Sequence, residues 1–252
     1  MLTHTGTKRT YSHNVRLAVL LGIAAGFVNA SGFLAFGVLT TNVTGHAALF
    51  AERMAMGDWK TAWVVALWMF FFLAGAFISS FLVSRIGRNQ RGSYIIPILM
   101  ETGILVAVAL LGHRYGGSLV GKEIYAGSLL FAMGLQNALV TMVSGSVVRT
   151  THLTGTFTDL GIELAQVIQK KHGDRRSLTG RIKLRLAIIF FFLCGALAGA
   201  YLYHSFGFHV FLVPAAILLF TLLSDIFRIH VKQYYRKIQQ HKKNTTLSGR
   251  IG

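Results

Sequence analysis

The chain has 252 residues, of which 53% are hydrophobic and only 13% are charged. A soluble domain carries about 25% charged residues, so this composition excludes an ordinary soluble protein and is typical of a membrane protein. The formal net charge of +17 comes without a nucleic-acid recognition motif, and we expect no nucleic-acid partner. The single cysteine, Cys194, excludes a disulfide framework.

Six apolar segments follow one another along the chain, and each approaches the length of about 20 residues that a helix needs to span a bilayer. The fourth is the least apolar, because it contains Gln136 and Asn137. Shorter helices are expected after Thr44, ending at Gly57, and after Thr154, ending at Gly173. The predicted spans are residues 17–38, 61–84, 94–112, 124–148, 184–204 and 208–227.

The positions of the basic residues predict the topology. With six spans and a cytoplasmic amino terminus, 21 of the 25 Lys and Arg residues fall on the inner side. Such an excess of positive charge marks the cytoplasmic side of a membrane protein. We therefore predict that both termini are cytoplasmic, and that the lipid bilayer is the main partner.

An internal repeat runs through the chain. A repeat of this length has to be recognised before the fold is assigned. The matched stretches are Gly26–Ala30 with Gly134–Ala138, Thr41–Gly45 with Thr151–Gly155, Phe70–Ala76 with Phe190–Ala196, and Pro97 with Pro214.

Each copy of the repeat holds three apolar segments, so the second copy has to cross the membrane in the opposite direction. The predicted fold is an all-α integral membrane protein with six transmembrane helices arranged as two inverted three-helix repeats. The repeats occupy about residues 15–115 and 124–227 of one membrane domain, 15–227. A polar segment, 1–14, precedes this domain, and a basic cytoplasmic tail, 228–252, follows it.

The repeated Thr-x-x-Thr-Gly motif is the strongest functional candidate. Thr44 and Thr154 stand where N-cap residues are expected, and helix starts bind anions and carboxylates. Two such starts related by the repeat would frame one site near the midplane. The alternative is that these residues only begin helices in the membrane interface. The predicted pathway residues are Asn29, Thr41, Asn42, Thr44, Gly45, Asn137, Thr151, Thr154 and Gly155.

Two of these residues, Asn29 and Asn137, are matched amides within spans, and the alternative role for them is hydrogen bonding between helices. Glu101 lies within the third span, four residues after Pro97. A carboxylate inside a membrane marks a pathway or proton relay by default, so Glu101 is predicted to couple protons. Its alternative is a neutral, hydrogen-bonded side chain beside the proline.

Arg149 and Asp159 flank the second copy of the motif and are predicted to gate the cytoplasmic side. No nucleophile elbow, phosphate loop or His-Glu-x-x-His helix is present in the sequence. We therefore predict no enzymatic activity, no cofactor and no metal site. A membrane enzyme acting through Asp159 or Glu163 on a lipid-borne substrate is the less favoured alternative.

At these motifs the sequence resembles the YoaK family, bacterial inner-membrane proteins described as a domain of unknown function. The resemblance spans about residues 15–227 and implies a six-span protein of the bacterial cytoplasmic membrane, without implying a substrate. It is carried by Gly26–Asn29, Thr41–Gly45, Asp58 with Trp59, and Val148–Thr156 with Asp159 and Leu160.

The function predicted from the sequence is a transporter or channel-like permease for an unidentified small solute or ion. Proton coupling would follow if Glu101 titrates. The alternative is a non-transporting scaffold or accessory subunit of a larger complex. Because both repeats lie in one chain, a monomer could function alone, and a homodimer is equally compatible with the sequence.

Overall fold

The computed structural model describes residues 11–87, 92–115, 118–169 and 175–227, and these ranges contain helices and no strand. The predicted all-α class is therefore confirmed. Short 3₁₀ turns at Gly112–Tyr115 and Gly207–Phe211 extend two of the connections. The helices are α1 (Tyr11–Phe36), α2 (Val43–Ala55), α3 (Trp59–Ile86), α4 (Gly92–Leu111), α5 (Leu119–Ser144), α6 (Leu153–Ile168), α7 (Arg175–Phe206) and α8 (212–227).

Five segments of the described chain are long and apolar enough to cross a membrane. Four of them correspond to α1, α3, α4 and α5. The fifth, Ser177–Phe227, has 51 residues and contains both α7 and α8. The turn between these two helices begins at Gly207, whose φ of +53° lies in the left-handed region that glycine adopts without steric cost.

Large apolar side chains are exposed along the outer faces of the long helices. On α3, Phe70, Leu73 and Phe77 are at least 59% exposed, and on α7 Leu197 and Tyr201 are at least 72% exposed. Exposed apolar surface costs about 25 cal/mol per Å² in water, and a lipid environment removes this cost. Together with the candidate spans, these faces identify a multi-pass membrane protein.

The most extensive helix contacts join the two halves of the chain, because α1 packs on α7 and α3 packs on α5. Glycines bring the backbones together at both crossings. A Cβ on Gly26 would overlap the carbonyl group of Phe192, and a Cβ on Gly134 would overlap that of Phe72. Close backbone approach at small residues is the usual way in which helices pack in membranes.

The partner helices carry glycines that make the reciprocal contacts. A Cβ on Gly75 would overlap the carbonyl group of Phe131, and one on Gly195 would overlap that of Ile23. Gly75 and Gly195 are matched positions of the sequence repeat. The two halves of the chain therefore make equivalent contacts with each other.

The predicted domain boundaries fall partly outside the described residues. α1 already begins at Tyr11, within the predicted polar segment 1–14, and α5 begins at Leu119, before residue 124. The predicted basic tail, 228–252, and the predicted helix end at Gly173 lie outside the described residues. Gly57, the other predicted helix end, follows α2 with a φ of +74°.

Candidate functional site

A cavity of about 560 Å³ lies where the two halves of the chain meet. Its volume falls within the range of about 300–1,000 Å³ that small-molecule sites occupy. The N-terminal ends of α2 and α6 open onto it, and side chains of α1, α3, α5 and α7 complete the walls. The lining residues are Asn29, Leu39, Thr41, Asn42, Val43, Thr44, Phe72, Asn137, Thr141, Arg149, Thr151, His152, Leu153, Thr154 and Phe192.

With the exception of Thr141, every lining residue has its repeat-matched partner in the same lining. The cavity is therefore built at the interface between the two copies of the repeat. The matched pairs are Asn29 and Asn137, Leu39 and Arg149, Thr41 and Thr151, Asn42 and His152, Val43 and Leu153, Thr44 and Thr154, and Phe72 and Phe192.

The structure brings together most of the predicted pathway residues, and their role in a pathway stays a prediction. Gly45 and Gly155 do not line the cavity. A Cβ on Gly45 would run into the side chain of Asn42, and one on Gly155 would run into the ring of His152. The two glycines therefore leave room for the preceding side chain to fold over the first helical turn.

The prediction that Thr44 and Thr154 are N-caps is wrong. α2 begins at Val43, and Asn42 Oδ1 accepts a hydrogen bond from the Gly45 N–H at 3.0 Å. α6 begins at Leu153, and its N-cap residue, His152, makes no side-chain capping bond. Because each helix begins earlier than predicted, both threonines lie within the first turn, where their hydroxyls are not in the N-cap position.

The first-turn amides of the two helices differ at one matched position, Gly45 and Gly155. In α2 the Gly45 N–H is occupied by Asn42. In α6 the N–H groups of Leu153, Thr154 and Gly155 donate no hydrogen bond to any described residue. The start of α6 therefore presents free donors together with the positive end of the helix dipole.

The matched amides Asn29 and Asn137 also behave differently. Asn29 Oδ1 accepts a hydrogen bond from the Thr41 N–H at 3.1 Å, and so holds the connection between α1 and α2. Asn137 Oδ1 is buried and has no hydrogen-bond partner among the described residues. Asn29 Oδ1 therefore does not bond to another transmembrane helix, which was the alternative role expected from the sequence.

Arg149 gives the cavity lining a full positive charge, and none of the lining residues is acidic. Its side chain is exposed and makes no ion pair with any described residue. Thr151, two residues later, is only 8% exposed. Its hydroxyl makes no hydrogen bond within the described part of the chain.

Asp159, the other residue predicted to gate the cytoplasmic side, does not line the cavity. Asp159 Oδ2 pairs with Arg185 Nη2 at 2.9 Å. One turn along α6, Glu163 Oε1 pairs with Arg181 Nε at 3.2 Å. Both ion pairs tie α6 to the first part of α7, and they hold the start of α6 beside the cavity.

Glu101 does not line the cavity. It lies in α4 at 1% exposure, on the same buried face as Pro97, as the spacing of four predicts. Its Oε1 has no hydrogen-bond partner among the described residues. The predicted proton coupling by Glu101 stays a prediction, and no contact with the cavity supports it.

Several residues near the cavity were not selected from the sequence. Phe72 and Phe192 form walls of the cavity, and the repeat of their aromatic runs was the available signal. Gln136 is 1% exposed, and its Nε2 donates to the Leu21 carbonyl at 2.9 Å and to Thr150 Oγ1 at 3.1 Å. Gln136 therefore ties α5 both to α1 and to the segment that carries Thr151.

His46, in the first turn of α2, supports the opposite side of the cavity. Its Nε2 lies 2.8 Å from the carbonyl oxygen of Leu39, a lining residue, and its ring packs edge-on against Trp68. Burial lowers the pKa of His46, and the hydrogen bond to Leu39 opposes this effect. No group of three His, Cys, Asp or Glu side chains is placed to hold a metal ion within the described ranges.

The chain matches no curated protein and no solved structure. A family profile described as protein of unknown function (DUF1275) matches residues 17–224. This match covers most of the chain and includes every residue of the cavity lining. The chain therefore belongs to this family of unknown function, DUF1275, and within it is an all-helical, multi-pass membrane-type protein.

Proposed function

We propose that this protein is a transporter or channel-like permease for a small solute or ion, and that the cavity at the starts of α2 and α6 is its solute site. The observation that carries the proposal is the matched lining of the cavity by both copies of the repeat. Many secondary transporters place the substrate between two repeats, next to the ends of broken helices.

The proposed architecture has six membrane-spanning helices in two inverted three-helix repeats. In it, α7 and α8 cross separately, because the segment Ser177–Phe227 has 51 residues and a single crossing needs only about 20. The turn at Gly207 is the place where the chain would reverse. The reciprocal glycine contacts between the halves support the symmetry of this arrangement.

The proposal places the protein in the bacterial inner membrane with both termini in the cytoplasm. The support is the distribution of Lys and Arg along the sequence and the resemblance to the YoaK family, which is itself part of the proposal. One chain contains both halves of the site, so a monomer suffices for function and a homodimer is compatible with it. The proposed transport function involves no chemical change of the solute.

Arg149 and Asp159 could still gate the cavity, but only if Asp159 changes its ion-pair partner. Arg149 lies at the cavity, whereas Asp159 is paired with Arg185. Asp159 would have to release Arg185 before it could meet Arg149. Because this ion pair ties α6 to α7, breaking it would allow α6 to move relative to α7, and forming it again would return α6 to its position.

Thiol accessibility in membrane vesicles tests the proposal. In a Cys194→Ser background, single cysteines are introduced as Asn29→Cys and Asn137→Cys, which place the thiol in the cavity. Phe77→Cys is the control, because Phe77 is 66% exposed on the outer face of α3, which the proposal covers with lipid. A membrane-impermeant maleimide is applied to right-side-out and inverted vesicles.

We expect the two cavity cysteines to react with the maleimide and the Phe77→Cys protein to remain unlabelled. Reaction from both sides would indicate alternating access or an open pore. If both cavity cysteines stay as unreactive as Phe77→Cys from either side, the cavity is not hydrated and the transport proposal is wrong. A scaffold function would then be the better explanation of the fold.

A further inference from the structure

The charge of the cavity lining is one-sided. Arg149 supplies a positive charge, and no lining residue supplies a negative one. The nearby acids Asp159 and Glu163 are paired with Arg185 and Arg181, so they do not neutralise Arg149. The positive charge of Arg149 would repel a cation in this cavity, whereas an anion could form an ion pair with Arg149.

The start of α6 adds hydrogen-bond donors to this charge. Leu153 and Thr154 line the cavity, and their N–H groups have no acceptor among the described residues. Free amides at a helix N-terminus bind anionic oxygens, with help from the helix dipole. At the start of α2 the Val43 and Thr44 amides are equally free within the described part of the chain, and only the Gly45 amide is occupied, by Asn42.

Thr151 provides an independent indication of a ligand at the same end. Its side chain is more than nine-tenths buried, lines the cavity and makes no hydrogen bond to any described residue. The Thr151 hydroxyl oxygen is not itself fully buried, so a ligand in the cavity can reach it. A ligand oxygen bound beside Arg149 would satisfy this hydroxyl.

The other walls of the cavity are apolar. Phe72 and Phe192 face it from α3 and α7, and Leu39, Val43 and Leu153 add aliphatic surface. A purely inorganic anion would leave these walls in contact with water. A ligand that combines an anionic head with a short apolar body would use both parts of the lining.

We propose that the cavity binds a small organic carboxylate, with its carboxylate held by Arg149, Thr151 and the first-turn amides of α6. Guanidinium groups pair with carboxylates through two parallel hydrogen bonds. This proposal names the substrate class of the transport function proposed above and rests on that function. It also assigns unequal roles to the two halves, with the anion on the α6 side.

Calorimetric titration of the purified full-length chain in detergent tests the proposal with butyrate as the probe. Butyramide has nearly the same shape without the charge, and inorganic phosphate has charge without the apolar body. We expect saturable butyrate binding, with butyramide and phosphate each weaker by about tenfold or more, as the loss of a charge-assisted contact or of apolar burial implies. Equal binding of butyramide, preferential binding of phosphate, or no butyrate binding would overturn the proposal.

Variants test which residues carry the preference. Arg149→Gln is expected to weaken butyrate binding by about tenfold or more. Arg85→Gln, which removes an exposed arginine outside the cavity, is expected to leave it unchanged. Thr151→Val provides a second test if the Arg149→Gln protein does not fold, and it is expected to weaken butyrate binding too. Butyrate affinity at the wild-type level in a folded Arg149→Gln or Thr151→Val protein would overturn the assignment.

Flux measurements in proteoliposomes separate this proposal from the transport function itself. Butyrate binding without flux of butyrate would retain the carboxylate site and overturn transport. Flux of a neutral or cationic solute, with no butyrate binding, would overturn the carboxylate proposal and retain transport. Butyrate flux that is lost in the Arg149→Gln protein would support both.

Discussion

Asn29 holds Thr41 by a hydrogen bond of 3.1 Å from the Thr41 N–H to the Asn29 side-chain oxygen. Asn29 lies in the last third of α1, and Thr41 immediately precedes the N-cap residue of α2. This bond therefore fixes the connection that brings the start of α2 to the cavity. The matched oxygen of Asn137 has no partner among the described residues, so the equivalent connection before α6 is not held in this way.

Replacing Asn29 by leucine should destabilise the protein, because the half-buried Thr41 N–H loses its acceptor. We expect a loss of about 1–3 kcal/mol in the free energy of unfolding. Asn29→Asp keeps an acceptor oxygen and should be less harmful. The melting temperature in detergent measures the effect. Asn137→Leu is the matched control, and an equal or larger loss in that variant would contradict this explanation.

The glycines at the helix crossings should not tolerate even a methyl group. Gly26→Ala and Gly134→Ala place a Cβ on the carbonyl groups of Phe192 and Phe72, so the helices have to separate. We expect each to cost about 1–3 kcal/mol. Gly103→Ala is the control, since a Cβ there meets no atom within 4 Å.

Thermal unfolding followed by intrinsic fluorescence compares the three proteins. Gly103→Ala should leave the melting temperature unchanged or raise it slightly, because alanine is favoured over glycine in a helix interior by about 1 kcal/mol. If the melting temperatures of Gly26→Ala and Gly134→Ala equal that of Gly103→Ala, the helices do not pack as closely at these crossings as the structure shows.

The ion pair between Glu163 and Arg181 should contribute more to stability than an exposed pair. The side chain of Glu163 is only 8% exposed, and the two groups lie 3.2 Å apart. A double-mutant cycle with Glu163→Gln and Arg181→Gln should give a coupling free energy of about 1 kcal/mol or more. The cycle with Glu52 and Arg53 should give about 0.5 kcal/mol or less, because these groups are 3.9 Å apart and the Glu52 carboxylate is 49% exposed. The reverse order of the two values would show that burial does not strengthen the first pair.

His46 should make stability depend on pH. Its folded pKa is lowered by burial from the ordinary value of 6.5, so between the two values the unfolded chain binds more protons than the folded one. The free energy of unfolding therefore falls as the pH falls through 6.5, and the loss levels off below the folded pKa.

The melting temperature should accordingly be lower at about pH 5.5 than at about pH 7.5. His46→Gln should remove part of this difference. His113→Gln is the control, because His113 is exposed, and it should retain the full difference. An unchanged pH dependence in the His46→Gln protein would show that another group is responsible.

Much of the candidate site was predictable because the repeat marks matched positions. Residues such as Thr41 and Thr151 were selected as pairs, and the structure places both on one cavity. The repeated aromatic runs contained the same signal for Phe72 and Phe192. That signal is weak, because an aromatic residue in a span more often faces lipid or the packed interior than a ligand.

Competition between two nearby capping residues explains the incorrect N-cap of α2. Asn42 and Thr44 are both good capping residues, and the sequence does not rank two candidates that are two positions apart. The partner of Asp159 is a separate case. Arg149 is nearer in sequence, but Arg185 is brought to Asp159 by the packing of α6 on α7.

The sequence by itself determined the helices, the repeat and the membrane character. In a bilayer every backbone polar group has to be bonded within the chain, so a long apolar segment that crosses it forms a helix. Each of the six predicted segments overlaps a helix of the structure over most of its length. Only the tertiary structure decided that α1 packs on α7 and α3 on α5, and that Glu101 lies away from the cavity. Lipid and protein interior are both apolar, so hydropathy does not distinguish the face of a helix that meets lipid from the face that meets another helix.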